Sequence, residues 1–147
     1  MEPITDTEAL IQRISAIFQT MAIPGLSGRI RDLSYEAGSV TIAFKVANSL
    51  ANPFGFVQGG IVATLLDACV GIAGAVKSGG TLAMPLVEMK TSFVRPIVPG
   101  RIVGAGEIIR LGKNLAFIEG TLLTQKGDVL ARASATAMPI PWPNIKS

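Results

Sequence analysis

The sequence predicts an α+β fold, an antiparallel sheet rolled around one central helix, and three observations lead to it. The run from Ile61 to Val76 is apolar around nearly its whole circumference, and a helix of that kind must be buried on all sides. Segments with the two-residue alternation of half-buried strands lie before that run and, in larger number, behind it. The later segments are rich in small residues, with Gly104, Ala105, Gly106, Ala131, Ala133, Ala135 and Ala137, which lets a sheet bend closely around a helix. In a chain of 147 residues, a curved sheet together with a partner subunit is what can enclose such a helix.

A first helix is expected from about Asp6 to Thr20. Thr5-Asp6-Thr7-Glu8 can form a capping box, with Thr5 bonding a first-turn amide and Glu8 reaching back. Leu10, Ile11, Ile14, Ile17, Phe18 and Met21 follow helical spacing, so one stripe is apolar and packs on the outside of the domain. Pro24-Gly25 stops it. Arg29 to Tyr35 and Ser39 to Val46 form a hairpin turned by Glu36-Ala37-Gly38. In its second strand Val40, Ile42, Phe44 and Val46 define an apolar face.

An irregular segment, Ala47 to Gln58, leads into the long helix, expected over 59–77 and closed by Lys77-Ser78-Gly79-Gly80, a basic last turn followed by glycines. Antiparallel sheet follows. Leu86 to Val94 alternates Val87, Met89, Thr91 and Phe93 against Glu88, Lys90 and Ser92. Arg101 to Arg110 and Leu115 to Thr124 flank a hairpin turn at Leu111-Gly112-Lys113-Asn114, and Val129 to Met138 is the last strand. The prolines at 139, 141 and 143 are expected to end the ordered chain in a proline-rich tail, 139–147, because proline cannot continue a ladder. No linker or repeat interrupts residues 1–147, which read as a single domain.

Composition excludes several classes of function. With 49% hydrophobic and 16% charged residues and a mean hydropathy of +0.50, the chain has ample material for a core and is not disordered. It contains no histidine and one cysteine, which excludes histidine catalysis, a disulfide framework and a Cys/His zinc site. No metal and no cofactor are expected. A net charge of +3 suits an anionic small ligand and is too weak to argue for nucleic acid. The N-terminal residues lack the pattern of a signal peptide. The run Ile61–Val76 would span about 24 Å as a helix, short of a bilayer's roughly 30 Å hydrocarbon core. No membrane partner is expected, and the cytoplasm is the expected location.

Two features carry chemistry. Asp67 is the one charged side chain within the apolar run. An unpaired buried carboxylate is costly, so it is either satisfied structurally or kept at a wet pocket for a purpose. Gly59-Gly60 opens the same helix, where unsatisfied first-turn amides and the positive end of the dipole can hold a developing oxyanion. The alternative there is a tight loop-to-helix junction. Gly59 and Asp67 are eight positions apart, about 12 Å along the axis, too far for one helix to present both to one carbonyl. A second helix running antiparallel past the first would supply the missing Asp67, so a joint site requires a twofold dimer. Cys69 reads as a small buried hydrophobe, because no histidine exists to activate it.

The string Asn52-Pro53-Phe54-Gly55-Phe56-Val57-Gln58-Gly59-Gly60-Ile61-Val62-Ala63-Thr64-Leu65-Leu66-Asp67 resembles the hotdog-fold acyl-CoA thioesterases, specifically the phenylacetate-pathway (PaaI-like) subfamily. Ser92-Phe93-Val94-Arg95-Pro96 with Gly100, and the hairpin at Leu111-Gly112-Lys113, resemble it too, so the likeness runs from about Arg29 to Met138. The resemblance implies a long central helix wrapped by five or six strands, homodimers paired into homotetramers, and hydrolysis of an acyl-CoA thioester in which coenzyme A is part of the substrate. It also implies roles. Asp67 matches the catalytic carboxylate, acting as nucleophile or as general base. Gly59 matches the amide that polarises the thioester carbonyl, and Asn52 an asparagine that positions the reacting groups or the lytic water. Gln58 stands where the family usually carries histidine. Glutamine can donate a hydrogen bond but cannot titrate near neutrality.

For substrate binding, the apolar lining expected from Phe54, Phe56, Ile61, Leu65 and Leu86 would accept a small, medium-chain or aromatic acyl group beside Gly60. Arg95, Arg110, Lys113 and Arg132 could meet coenzyme A phosphates, with Arg95 and Lys113 the better placed; otherwise each is a solvated charge at a sheet edge. Trp142 is expected to pack on a neighbouring surface. A rival function is a non-catalytic or weakly active binder of acyl-CoA or acyl-carrier protein, which Gln58 favours and the joint presence of Asp67, Asn52 and Gly59 opposes. A serine hydrolase is disfavoured for want of a Gly-x-Ser-x-Gly elbow and a histidine base.

Overall fold

A computed structural model describes residues 1–18 and 23–143. Helix α1 spans Thr7–Phe18 and helix α2 Gly59–Lys77. The strands are β1 (Leu26–Ser34), β2 (Ser39–Val46), β3 (Leu82–Ala83), β4 (Leu86–Phe93), β5 (Gly100–Leu111), β6 (Ala116–Leu123), β7 (Val129–Ala137) and β8 (Ile140–Pro141). Six of them form one antiparallel sheet in the order β1-β2-β5-β6-β7-β4, and β3 pairs with β8. The expected α+β architecture and the expected bounds of α2 are both found.

The sheet wraps α2 closely because glycines and alanines stand on its inner face between larger buried residues such as Ile42, Ile102, Ile118 and Leu122. A Cβ on Gly106 would overlap the Cys69 carbonyl, one on Gly104 would sit 2.6 Å from the Cys69 sulfur, and one on Gly120 would sit 3.0 Å from Val70. Ala131, Ala133, Ala135 and Ala137 are buried along the same face. Against them lie Val62, Leu65, Leu66, Cys69, Val70, Ala73 and Val76 of α2, all buried. Each large apolar side chain among these stabilises the fold by about 1.5–3 kcal/mol relative to exposure. At 19 residues, α2 is long and apolar enough to cross a membrane, yet its burial against the sheet marks it as a core helix.

The sheet does not cover all of α2. Gly60 and Asp67 are exposed, and Ala63, Thr64, Ala68 and Gly71 are half-buried, so one stripe of the helix stays open from Gly60 to Gly71. This is the face for which a partner subunit is expected.

Four expectations are corrected. The cap of α1 is Asp6, whose Oδ2 accepts a 2.9 Å hydrogen bond from the Ala9 amide; the helix starts one residue later than the Thr5 capping box requires, and aspartate caps as well as threonine or better. Thr20 and Met21, and the side chains of Ile17 and Phe18, lie outside the described residues. In β4 the alternation breaks at a bulge between Leu86 and Glu88, which leaves Val87 60% exposed, and Phe93 at the strand end is 59% exposed. β1 begins at Leu26, three residues before the expected Arg29. The prolines do not end the order at 139, because β8 pairs with β3 and the Trp142 amide donates to the Thr81 carbonyl at 2.9 Å. Pro141 is tolerated there because a two-residue edge ladder does not need its missing N–H. The Trp142 ring lies under the Arg13 guanidinium, 5.8 Å from ring centre, so the expected packing of Trp142 is found.

The close approach at Gly106 is testable. Gly106→Val is expected to lower stability by at least about 1–3 kcal/mol through overpacking, read as a lower denaturant midpoint; Gly127→Ala, at a turn with open space around it, serves as the backbone-strain comparison.

Candidate functional site at the start of the central helix

The loop before α2 is tied down from within. Ala51 bridges Val57, the Asn52 amide donates to the Phe56 carbonyl at 2.6 Å, and the Gly55 amide donates to the Asn52 carbonyl at 3.0 Å. The Asn52 Oδ1 accepts from the amides of Phe54 (3.0 Å) and Phe56 (3.1 Å). Gly55 sits at φ +85, a left-handed conformation that glycine adopts without strain. Asn52 is therefore a positioning residue for the loop. Its Oδ1 is occupied, and its Nδ2 remains a donor for a ligand.

Gln58 caps α2 through its backbone only. Its amide donates to Leu50 at 3.0 Å, and its carbonyl accepts from Ile61 (2.9 Å) and Val62 (3.1 Å), while its side chain makes no capping bond. The next two amides, of Gly59 and Gly60, find no acceptor among the described residues. Both glycines are exposed, and a Cβ on Gly60 would meet nothing within 4 Å. The positive end of α2 thus presents two unspent donors to open space, the arrangement that stabilises an oxyanion.

Asp67 lies two turns further along, on the open stripe. No hydrogen bond engages its carboxylate among the described residues, and partial burial among apolar neighbours raises its pKa above the ordinary aspartate value. An acid whose charged form is disfavoured by the fold, with nothing to neutralise it, is poised to accept a proton or attack. Cys69 is fully buried, which pushes its thiol pKa up and keeps it out of chemistry. Among the described residues, no cluster of three His, Cys, Asp or Glu could hold a metal.

The structure brings some of the expected residues together and separates others. Asn52, Phe56 and Arg95 share a hollow of about 300 Å3 with Phe93, whose ring is 3.7 Å from a Cβ built on Gly59. Phe54 stands in the loop before α2, 83% exposed. Leu65 lines a different cavity of about 370 Å3, shared with Ser15, Phe44, Thr64 and Ala68. Ile61 and Leu86 pack against the main core. Lys113 sits in the β5–β6 turn, beside the end of β7, whereas the Arg95 amide donates to the Leu130 carbonyl at the start of β7, so the two lie at opposite ends of the sheet. In one chain the Gly59 amide and Asp67 stay two turns apart on an unbroken helix. Sequence reasoning missed the cavity wall made by Thr64, Ala68 and Phe44. Its signal was present in Thr64 and Ala68, which stand four positions apart and so share one face of the helix.

A family model described as the thioesterase superfamily matches residues 54–131, more than half of the chain. The chain belongs to that superfamily. Human acyl-coenzyme A thioesterase 13 is 27% identical over 132 residues, covering 88% of this chain and 94% of that protein. A phenylacetic acid degradation-related protein of Ralstonia eutropha JMP134 superposes with a TM-score of 0.73 at 29% identity, covering 86% of this chain and 98% of that one. A Streptococcus mutans protein solved with acetyl-CoA bound shares the fold, with a TM-score of 0.68 at 20% identity, over 83% of this chain and 94% of that one. These findings agree with the PaaI-like, hotdog resemblance, and the protein is a thioester hydrolase by that membership.

The raised pKa of Asp67 has a consequence for stability. For an acid raised in the folded state, folding favours the proton, so stability falls as pH rises from about 3.9 through the folded value. Asp67→Asn is expected to raise the thermal midpoint at pH 7, with the gain narrowing as pH is lowered towards 4, measured by calorimetry across that range.

Proposed function

We propose that two copies of this chain form a twofold dimer that hydrolyses acyl-CoA thioesters, with each site built across the interface. The observation that carries this reading is the placement of two incomplete halves on one exposed helix face. Gly59 and Gly60 offer free amides at one end, and the unpaired Asp67 lies about 12 Å away along the axis. An antiparallel second helix laid against the open stripe brings the partner subunit's Asp67 to the first protomer's amides, and the symmetry makes two equivalent sites.

In that arrangement the thioester carbonyl oxygen accepts hydrogen bonds from the Gly59 and Gly60 amides. The partner subunit's Asp67 either attacks the carbonyl carbon or takes a proton from the water that does. The carbon–sulfur bond breaks, the coenzyme A sulfur leaves and is protonated, and the acyl carbon leaves as a carboxylate after addition of water. Asn52 holds the loop and offers its Nδ2. Gln58 donates towards the carbonyl or the sulfur. The cavity of about 370 Å3 beside Thr64 and Ala68 is well over twice an engineered cavity of about 150 Å3 that binds benzene, so a medium-chain or aromatic acyl group fits it. The acetyl-CoA held by the Streptococcus mutans relative supports coenzyme A as the carrier.

Exposed apolar surface supports the assembly. Edge strand β4 and its continuation expose Val87, Phe93 and Val94 beside an unpaired ladder edge, which a second copy can extend. Ile109 on β5, Leu115 in the β5–β6 turn and Phe117 on β6 are further exposed apolar residues, a surface on which two dimers can pair into a tetramer. Gln58 in place of the family's histidine favours a second reading, a binder of acyl-CoA or acyl-carrier protein with little or no turnover.

Free-thiol release from a panel of acyl-CoA substrates separates the two. Turnover is expected for the native chain and is expected to fall by about 10²–10⁴ in Asp67→Asn, with the dimer mass unchanged by light scattering. Equal, near-zero turnover in both proteins with retained ligand binding would establish the binder instead. Gln58→His is expected to preserve or raise the rate.

A further inference from the structure

The outer face of the sheet concentrates positive charge in one place. Arg29 and Arg31 on β1, Lys45 on β2 and Arg101 on β5 line a hollow of about 530 Å3, with Ser27 and Gln125 on the same wall. No carboxylate lines it. These four are among the thirteen lysines and arginines of a chain with a net charge of +3.

Two features of the backbone set this cluster apart from ordinary solvated charge. Lys45 and Arg101 are direct cross-strand partners, and like charges opposed on one face of a sheet are destabilising. Arg31 is the extra residue of the β-bulge between Ile30 and Asp32, freed from the ladder at a device that re-aims a side chain. A repulsive pair joined by two more guanidinium groups and no acid is a site that lacks only its counter-charge. Guanidinium forks match phosphate oxygens in pairs, and Ser27 and Gln125 add neutral donors. A hollow of this size with four cations suits several linked phosphoryl groups better than a single one.

The hollow also lies at the working end of the fold. Val46 pairs with Gly100 beside it, and the Ile97 carbonyl accepts from the Val57 amide at 2.7 Å just before α2 begins. It shares Ser27, Gly28, Arg29 and Phe44 with the cavity that reaches Thr64 and Ala68. We infer that the basic hollow of Arg29, Arg31, Lys45 and Arg101 binds the phosphoryl groups of a nucleotide. That nucleotide is either the end of the coenzyme A substrate, a source that rests on the proposed hydrolysis of acyl-CoA, or a free nucleotide, which does not.

Titration calorimetry of the full-length protein with ADP and with pyrophosphate tests the site, alongside Arg101→Gln, Lys45→Gln and the double variant. Binding is expected in the native protein, weakened about tenfold by each substitution and weakened further by added salt. Thermal midpoints of the variants are expected to hold or rise, since a repulsive pair is removed; a merely structural role would lower them. The ratio of KM for an acyl-CoA to KM for the matching N-acetylcysteamine thioester, which lacks phosphate, identifies the source. A rise of about tenfold in Arg101→Gln assigns the hollow to coenzyme A, and an unchanged ratio with lost ADP binding assigns it to a free nucleotide. Native and double-variant proteins that bind ADP and pyrophosphate equally or not at all, with an unchanged KM ratio, would overturn the site. Absence of turnover on both thioesters in the native protein would remove the hydrolytic reading, and the binding measurements would still decide the hollow.

Discussion

Everything in this molecule depends on enclosing one apolar helix. A helix such as α2 has no polar face to turn to water, so its surroundings must be apolar and close on almost every side. The sheet supplies that closeness by giving up side chains. Gly106 lets β5 approach the Cys69 carbonyl to a distance that a Cβ would forbid, Gly104 and Gly120 bring their strands tightly against Cys69 and Val70, and the alanines of β7 extend the same shallow surface. Curvature, register and core packing follow from that requirement together, because close packing transmits a misfit of even one methylene.

The same constraint creates the site. A single curved sheet cannot cover a cylinder completely, and the uncovered stripe of α2 carries the one acid of the helix and ends at two amides that no backbone carbonyl among the described residues satisfies. Partial burial raises the Asp67 pKa, while the dipole and the free donors make the helix start attractive to negative charge. The acid and the donors are kept apart by the length of the helix itself. In the proposed dimer the two are brought together across the interface, and the fold leaves apolar edges and faces exposed.

The loop of residues 51–58 shows how local polar bonds serve this end. Asn52 spends its carbonyl oxygen on the amides of Phe54 and Phe56, which would otherwise lack partners in a segment that joins neither helix nor sheet. The loop then holds Gln58 in the conformation that starts α2. Phe54 projects into solvent and Phe56 borders a hollow, so two aromatic residues alike in sequence context part ways through the geometry of a single turn.

Much of this was legible in the order of residue types. Period-2 alternation marked the strands, the unbroken apolar run marked the buried helix with its correct bounds, and the lone acid and the Gly-Gly pair marked the site, because each is a local pattern with a local physical cause. Other features depend on partners distant in the chain. The bulges in β1 and β4 shift which side chains face outward, β8 finds β3 across some sixty residues of sequence, and Lys113 and Arg95 separate to opposite ends of the sheet. Arg29, Arg31, Lys45 and Arg101 look like scattered surface charges until strand pairing sets them side by side. Composition and periodicity alone determined that a sheet must wrap this helix and that the helix carries a lone acid within its apolar run. Which side chains share a cavity was decided only by tertiary structure, since register and chain reversal place residues next to one another by hydrogen bonds between strands, and no local spacing encodes those distances.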